Sequence, residues 1–341
     1  MHLSPLLPLL IPLAVAVPQQ PYLTNSECTT SNALQRKEWS TLSDDERIAY
    51  TDAVTCLMNE PSIYPRDAVP ASTSFYTDFA ASHANISLSI HQTGTFLSWH
   101  REFLSIFEYA LHDCGYPRNS GIPYWDWPLY ISQPLTDSPL FDDRPPPLAE
   151  MAPPSLVVLS LPTGSGGGCV LTDPFANTTV SLGPFPPEYI VTGLPENWTA
   201  PNPHYLTRDL NNYTLELFAN GTRVQSLLEA DNIEDFQFAF NPIHSGGHFS
   251  IGGQMADFYV SPLDPTFWLH HAQIDRLWAI WQDEDERRRD TYNGTSTFLD
   301  PVGGTPEVDG ETVITFVPLG DEITLDEAKD PMRGRYCYQY V

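Results

Sequence analysis

The sequence predicts a mainly α-helical fold: a four-helix core wrapped in long loops, with a few short strands. Three observations lead there. Apolar residues recur at helical spacing in both halves of the chain, 33 prolines punctuate the 341 residues, and the stretch from Ile131 to Glu229 loses periodicity altogether. With 41% hydrophobic and 12% aromatic residues, the chain has the apolar content to bury a core.

The first helix is expected over Ser43–Leu57, where Ser43 caps and Glu46 stands three residues on in the capping-box arrangement. Phe75, Phe79 and His83 recur at i, i+4 and i+8, so His83 is placed at the end of a second helix. Leu97, Leu104, Phe107 and Leu111 form the stripe of a third, over Phe96–His112. The middle is broken by Pro145-Pro146-Pro147, Pro153-Pro154 and Gly164 to Gly168, and is read as a long surface connection. Helical signals return at Asn241-Pro242, with Asn as cap and Pro in the first turn, and over Pro265–Asp283. Thr312 to Val317 alternates like a strand, and Asp283 to Asp290 reads as the solvated end of a helix.

Residues 1–16 read as a signal peptide. An apolar run from Leu3 to Val17 carries Pro5, Pro8 and Pro12 and leads into the small-residue pattern Ala14-Val15-Ala16, leaving 17–341 as the functional domain. Six Asn-x-Ser/Thr sequons, at Asn85, Asn177, Asn197, Asn212, Asn220 and Asn293, agree with a secreted, extracellular glycoprotein. In that compartment five cysteines allow two disulfides and one thiol; spacing alone does not set the pairing. Cys56 with Cys114 would staple two helices, and Cys28 with Cys337 would tie the chain ends. No stretch nears the roughly 20 apolar residues of a membrane span. A net charge of −27 repels phosphate backbones and anionic membranes, so neither nucleic acid nor membrane is expected as a partner.

Eight of the ten histidines fall in two clusters: His83, His91, His100 and His112, then His244, His248, His270 and His271. His2, His112 and His204 are read as ordinary surface or satisfied residues. His244 and His248, four apart, share one face of a helix and can bind one ion. A zinc-protease helix needs Glu directly after the first His; here Ser245 stands there, followed by Gly246 and Gly247, which disfavours hydrolytic zinc. His271 supplies a third imidazole. His91 and His100, nine apart, would point to opposite faces of one helix, so His91 must lie outside it, with Thr93-Gly94 as the break. Three imidazoles per half and no nearby cysteine favour a pair of nitrogen-preferring ions, copper ahead of zinc.

Three segments then carry a family resemblance: Trp99-His100-Arg101-Glu102-Phe103-Leu104, Pro123-Tyr124-Trp125-Asp126-Trp127, and Asp264-Pro265-Thr266-Phe267-Trp268-Leu269-His270-His271 running on to Asp275-Arg276-Leu277-Trp278. From about Cys28 to Tyr340 the chain resembles the type-3 dicopper proteins, the tyrosinases and catechol oxidases, and more distantly the haemocyanins. The resemblance implies two copper ions, one on His83, His91 and His100 and one on His244, His248 and His271. His270 then becomes a neighbour thrown about 100° around the helix, Phe267 packs against the metal-bound rings, and Asp275 either orients an imidazole or pairs with Arg276 or Arg101.

Two departures refine the expectation. Members often carry a cysteine two residues before the second ligand of the first site, bonded to that ligand; here Ser89 stands there, so no thioether is expected. Hydroxylating members tend to have Asn after the first ligand of the second site, where this chain has Ser245, with Glu234 and Asp235 upstream as the available acids. The resemblance therefore implies oxidation of o-diphenols (catechols) to o-quinones, with dioxygen as co-substrate and a small phenol as partner. Its alternatives are a monophenol-hydroxylating tyrosinase, an o-aminophenol oxidase, and a haemocyanin-like oxygen carrier. The carrier reading is disfavoured because the sequence reaches Val341 soon after Tyr336-Cys337-Tyr338, with no segment to shield the site.

Overall fold

The computed structural model describes residues 28–141, 161–162, 164–165, 167–171, 174–300 and 303–341; the signal-peptide segment lies outside the described residues. Among the described residues eight α-helices follow in order: α1 (Asp44–Asn59), α2 (Phe75–Ile90), α3 (Phe96–Asp113), α4 (Tyr189–Thr192), α5 (Asn212–Phe218), α6 (Gly221–Leu228), α7 (Ile233–Ile251) and α8 (Thr266–Asp283). Helices α2, α3, α7 and α8 form the four-helix core, and the strands are two or three residues long. No described helix is long and apolar enough to cross a membrane.

Local chemistry starts the helices where the sequence places them. Ser43 and Glu46 form the reciprocal capping box of α1, and Ser74 with Thr77 forms another on α2. The core between α2, α3 and α8 is an aromatic seam. Phe107 lies flat on Trp268 with centroids 3.6 Å apart, and Phe79 meets Trp268 edge-on at 5.3 Å. Both disulfides are present: Cys56–Cys114 joins α1 to the end of α3, and Cys28–Cys337 joins the chain ends, leaving Cys169 as a half-buried thiol.

Several elements differ from expectation. Helix α7 begins eight residues before Asn241, because the Asn232 side chain accepts from the Asp235 amide at 2.9 Å and caps an earlier start. Pro242 consequently sits inside the helix and withholds the amide that would serve the Phe238 carbonyl, on a flank where the Phe238 side chain is exposed. His83 lies mid-helix, since α2 runs on to Ile90. Helices α5 and α6 occupy a segment read as loop; Asn211 and Asn220 cap them, and α5 packs along α7. The alternation at Thr312–Val317 shrinks to Val313–Ile314, paired antiparallel with Ile323–Thr324.

Helix α3, helix α8 and the chain ends are joined by a buried ion cluster. Leu34–Arg36 pairs in parallel with Tyr338–Tyr340. This brings Arg36 to Glu108 at 3.0 Å and to Asp275 at 3.2 Å, while Arg101 donates to Asp275 at 2.6 Å. The hydroxyls of Tyr338 and Tyr340 donate to the same carboxylate, each at 2.6 Å. Burial would raise the Asp275 carboxyl, but Arg101 and Arg36 reverse that and hold it below the usual range. Removing one charge from a buried cluster leaves its partners uncompensated, at a cost of about 3–5 kcal/mol. Asp275→Asn should therefore lower the unfolding free energy by that order, read from urea midpoints at constant m. A loss under about 1 kcal/mol would show that the cluster does not hold the helices together.

Candidate metal centre

The four core helices bring seven imidazoles together in two groups, His83, His91 and His100, and His244, His248, His270 and His271; within each group the donor atoms lie within 4.8 Å of one another. His83 stands mid-way along α2, His91 is the extended residue that ends it, and His100 lies in the second turn of α3. Their ring centroids are 4.9 to 5.9 Å apart. The break between His91 and α3 includes Gln92 at φ 49° and Gly94, where a Cβ would meet Val308 at 2.4 Å. In the second group, the Nε2 of His248 lies 2.9 Å from the Nε2 of His244 and 3.2 Å from that of His271. The groups face each other, with His100 stacked on His271 at 4.4 Å.

Backbone carbonyls set the tautomers. The Nδ1–H of His83 donates to the Tyr259 carbonyl (2.7 Å), that of His91 to Ser87 (2.9 Å), that of His100 to Phe96 (2.9 Å) and that of His248 to Met255 (2.7 Å). Each ring therefore turns an unprotonated Nε2 inward, and those of His83 and His100 are buried without a hydrogen-bond partner. Burial pushes all seven imidazoles below their ordinary value, His91 to about 4 and His248 to about 3, so the rings are neutral at pH 7. Buried, neutral, convergent nitrogens with their outer N–H groups tied to carbonyls are the donor set that a pair of borderline cations requires.

The two carbonyls outside the helices belong to the loop joining α7 to α8, and Asp257 shapes that loop. Its carboxylate accepts from the amides of Phe185 (2.6 Å), Tyr259 (2.9 Å) and Val260 (3.3 Å), and burial raises it to about 6. Phe258, carried on the same turn, packs on His91 at 4.6 Å. Sequence reasoning missed these contributions because a carbonyl has no residue signature.

Phe267 stacks on His271 at 4.1 Å and meets His83 edge-on at 5.6 Å, touching rings of both groups. His270 lies nearly parallel to His244 at 5.5 Å and edge-on to His248 at 4.6 Å, and neither of its ring nitrogens makes a well-formed hydrogen bond. A Cβ on Gly247 would fall 2.1 Å from that ring, and one on Gly246 would fall 2.3 Å from Phe218 on α5. The glycines between His244 and His248 thus let two elements approach α7.

Of the two readings of Asp275, pairing with Arg101 is the one the structure shows. Its hydrogen bonds go to Arg36, Arg101, Tyr338 and Tyr340 rather than to an imidazole, because two buried guanidinium groups are the stronger partners for a buried carboxylate. Glu234 and Asp235 are also displaced from the role considered for them: both are exposed in the first turn of α7, where they favour the helix dipole. His112 stays apart from both groups, with its Nε2 2.9 Å from the Ser120 carbonyl.

A cavity of about 660 Å³ opens over the two groups, with His91, His244, Ser245 and His248 in its wall. The family model describing the common central domain of tyrosinase matches residues 73–284, the span that contains all seven imidazoles. The chain belongs to the tyrosinase family. Tyrosinase P of Aspergillus terreus is 39% identical over 90% of this chain and 91% of its own length. N-acetyl-6-hydroxytryptophan oxidase of Emericella nidulans is 36% identical over 92% and 94%. Among solved structures, a single-site mutant of polyphenol oxidase from Thermothelomyces thermophila is 36% identical, with a TM-score of 0.81 over 92% of this chain and 90% of that one. A functional unit of Octopus hemocyanin shares the fold at 20% identity and a TM-score of 0.55, over 90% and 68%. As a tyrosinase-family member the protein is a copper oxidoreductase, and the family implies a type-3 dicopper centre that the two histidine groups fit.

Two outcomes are expected. For an imidazole whose folded value lies below its unfolded value near 6.5, stability is present above that value and lost as pH falls through the folded one. The metal-free protein should thus lose stability progressively from about pH 6.5 to 4, and copper loading should shift the acid midpoint downward, as followed by circular dichroism. Gly247→Ala should push His270 off α7 and lower bound copper from two per chain towards one, read by elemental analysis. Full loading of that variant would show that α7 and α8 can part without disturbing the second group.

Proposed function

We propose that this enzyme oxidises o-diphenols to o-quinones with dioxygen, with His83, His91 and His100 holding one copper and His244, His248 and His271 the other. The observation that carries the reading is the pair of facing, neutral imidazole groups in the wall of a cavity large enough for an aromatic substrate. The copper pair supplies the two-electron exchange between phenol and dioxygen. The protein keeps the ligand nitrogens unprotonated through the carbonyl bonds, packs Phe267 against rings of both groups, and excludes bulk water from them. Each diphenol gives up two electrons and its two hydroxyl protons, which leave in water formed from dioxygen.

Diphenol oxidation is favoured over monophenol hydroxylation by what lines the cavity. Ser245 follows His244 there, and the two carboxylates among the described lining residues are engaged by backbone amides, Asp257 as described and Asp209 with Gly164 and Gly167. Neither is poised as a base for a phenolic proton. The relatives' names span a tyrosinase and a hydroxytryptophan oxidase, so family membership leaves the aromatic ring open.

For the ligand set, the Nε2–Nε2 approach of His248 and His271 favours His271 over His270. His271→Ala should lose one copper, whereas His270→Ala should keep both and lose tenfold to about a hundredfold in rate; the reverse pattern would exchange their roles. Oxygen uptake should be fast on a catechol and slow or lagging on the matching monophenol, and Ser245→Asn should gain some monophenol turnover. Equal rates in the unmodified enzyme would make it a tyrosinase in activity.

The same reading includes export of residues 17–341 as a glycoprotein. Asn85, Asn177 and Asn197 are exposed, while the amide nitrogens of Asn212, Asn220 and Asn293 already donate to Gln133, Glu216 and Gln237. Glycans are expected on the first three, counted by the mass lost on treatment with an N-glycosidase.

A further inference from the structure

A second cavity, of about 330 Å³, lies beside α2 and has no described lining residue in common with the first. Its wall includes Asn85 and Leu88 of α2 and, from the loop that follows α4, Leu194, Pro195 and Trp198. That loop is held against the helix at both ends. Gly193, at φ 78°, donates its amide to the Tyr189 carbonyl at 2.8 Å, and a Cβ there would lie 4.0 Å from Leu88. At the other end the Thr199 carbonyl accepts from the Ala71 amide at 3.1 Å. Leu194 and Trp198 are half-buried against the apolar cluster that contains Ala80, Ala81, Ala84 and Tyr259, so the groove is preformed.

Asn85 opens the sequon Asn85-Ile86-Ser87 and is itself part of the wall. It is exposed, and its side chain makes no hydrogen bond among the described residues, unlike the engaged amides of Asn212, Asn220 and Asn293. A sugar joined to Asn85 starts at the groove. Tethering of this kind gives an effective concentration on the order of millimolar, so a contact too weak to hold a free sugar suffices.

The chemistry of the wall suits that occupant. One face of a pyranose ring presents C–H groups and is apolar, and an indole offers a broad flat apolar surface to receive it. The ring's hydroxyl and acetamido groups need water or polar partners, and the exposed residues Ser89 and Glu196 are also in the wall. The volume stands at the low end of the range for ligand sites, roughly 300–1,000 Å³, which suits the first sugar rings and excludes a branched oligosaccharide.

We infer that the groove between α2 and Trp198 seats the first N-acetylglucosamine units of a glycan on Asn85, packed on the indole ring. This rests on the export reading, which supplies the glycan. In the attachment step Asn85 Nδ2 bonds the anomeric carbon, the pyrophosphate of the lipid carrier leaves, and the amide proton passes to solvent. The seated sugar ties α2, which carries His83, to the segment after α4. Tyr259, whose carbonyl holds His83, lies in the same wall.

The test uses the full chain secreted from a glycosylating eukaryotic host, with each site read by peptide mass. During digestion of the native protein by a peptide N-glycosidase in heavy-oxygen water, the Asn85 linkage should be cut about tenfold more slowly than that of Asn177, and equally fast after unfolding. Trp198→Ala should remove most of this protection, and Trp198→Phe, the milder change, should keep part of it; circular dichroism checks that both are folded. In the unmodified protein, trimming every glycan to one sugar with an endoglycosidase should leave the melting temperature unchanged, whereas Asn85→Gln should lower it by about 2–4 °C. Equal release at Asn85 and Asn177, protection that survives in folded Trp198→Ala, or no melting shift in Asn85→Gln would overturn the seat. A bare Asn85 beside glycosylated Asn177 and Asn197 would overturn the seat and leave export standing, while a chain without any glycan would overturn both.

Discussion

Seven imidazoles held out of water in one small volume govern how the surrounding helices and loops are built. Each must be neutral, because a buried cation beside six like neighbours has no compensation. Neutrality leaves one proton per ring, and where that proton sits decides whether the inward nitrogen can bind a cation. Four rings direct it to a backbone carbonyl, two back along the helices that carry them and two in the loop between α7 and α8. His91, which directly follows α2, reaches back one helical turn to Ser87, and His100 reaches back one turn to Phe96.

That arrangement requires the four core helices to be fixed to better than a ring's width. Between α2, α3 and α8 the packing is aromatic and dense. Between α3, α8 and the chain ends it is ionic, with Arg36 and Arg101 converging on Asp275 beneath the tyrosines of the last strand. A buried ion cluster is a costly way to join elements, and a well-packed apolar one is often at least as stable. Here the carboxylate is fully matched by two guanidiniums and two hydroxyls, so the cluster sets one relative position of α3 and α8. His100 directly precedes Arg101 and His271 stands one turn before Asp275, so the stacking of the two rings depends on that position.

The cavity follows from the same demand for close approach. Helix α7 carries glycines where its neighbours press closest, so α5 and the His270 ring sit directly on it, and residues between Leu161 and Asp209 line the cavity. Polar side chains in that wall mostly satisfy backbone amides that a loop would otherwise leave unpaired. The result is an apolar wall with few polar atoms left to read a substrate, which is where specificity between family members can vary without altering the imidazoles.

Features that depend on near neighbours in the chain were legible from the order of residues. The capping box at Ser43, the stripe of α3, the shared face of His244 and His248 and the removal of His91 from the α3 register are all consequences of helical period and cap chemistry. Packing between distant segments settled the remainder. The start of α7 moved to Ile233 because a cap at Asn232 and packing against α5 outweigh the local preference of Asn241-Pro242. Asp275 turned to two arginines, one of them 239 residues away, and Glu234 and Asp235 stayed in solvent. The Tyr259 carbonyl that holds His83 and the glycine contacts on α7 arise from segments well apart in the chain. Spacing carries no information about such contacts, because burial and hydrogen-bond matching are settled only when the layers close.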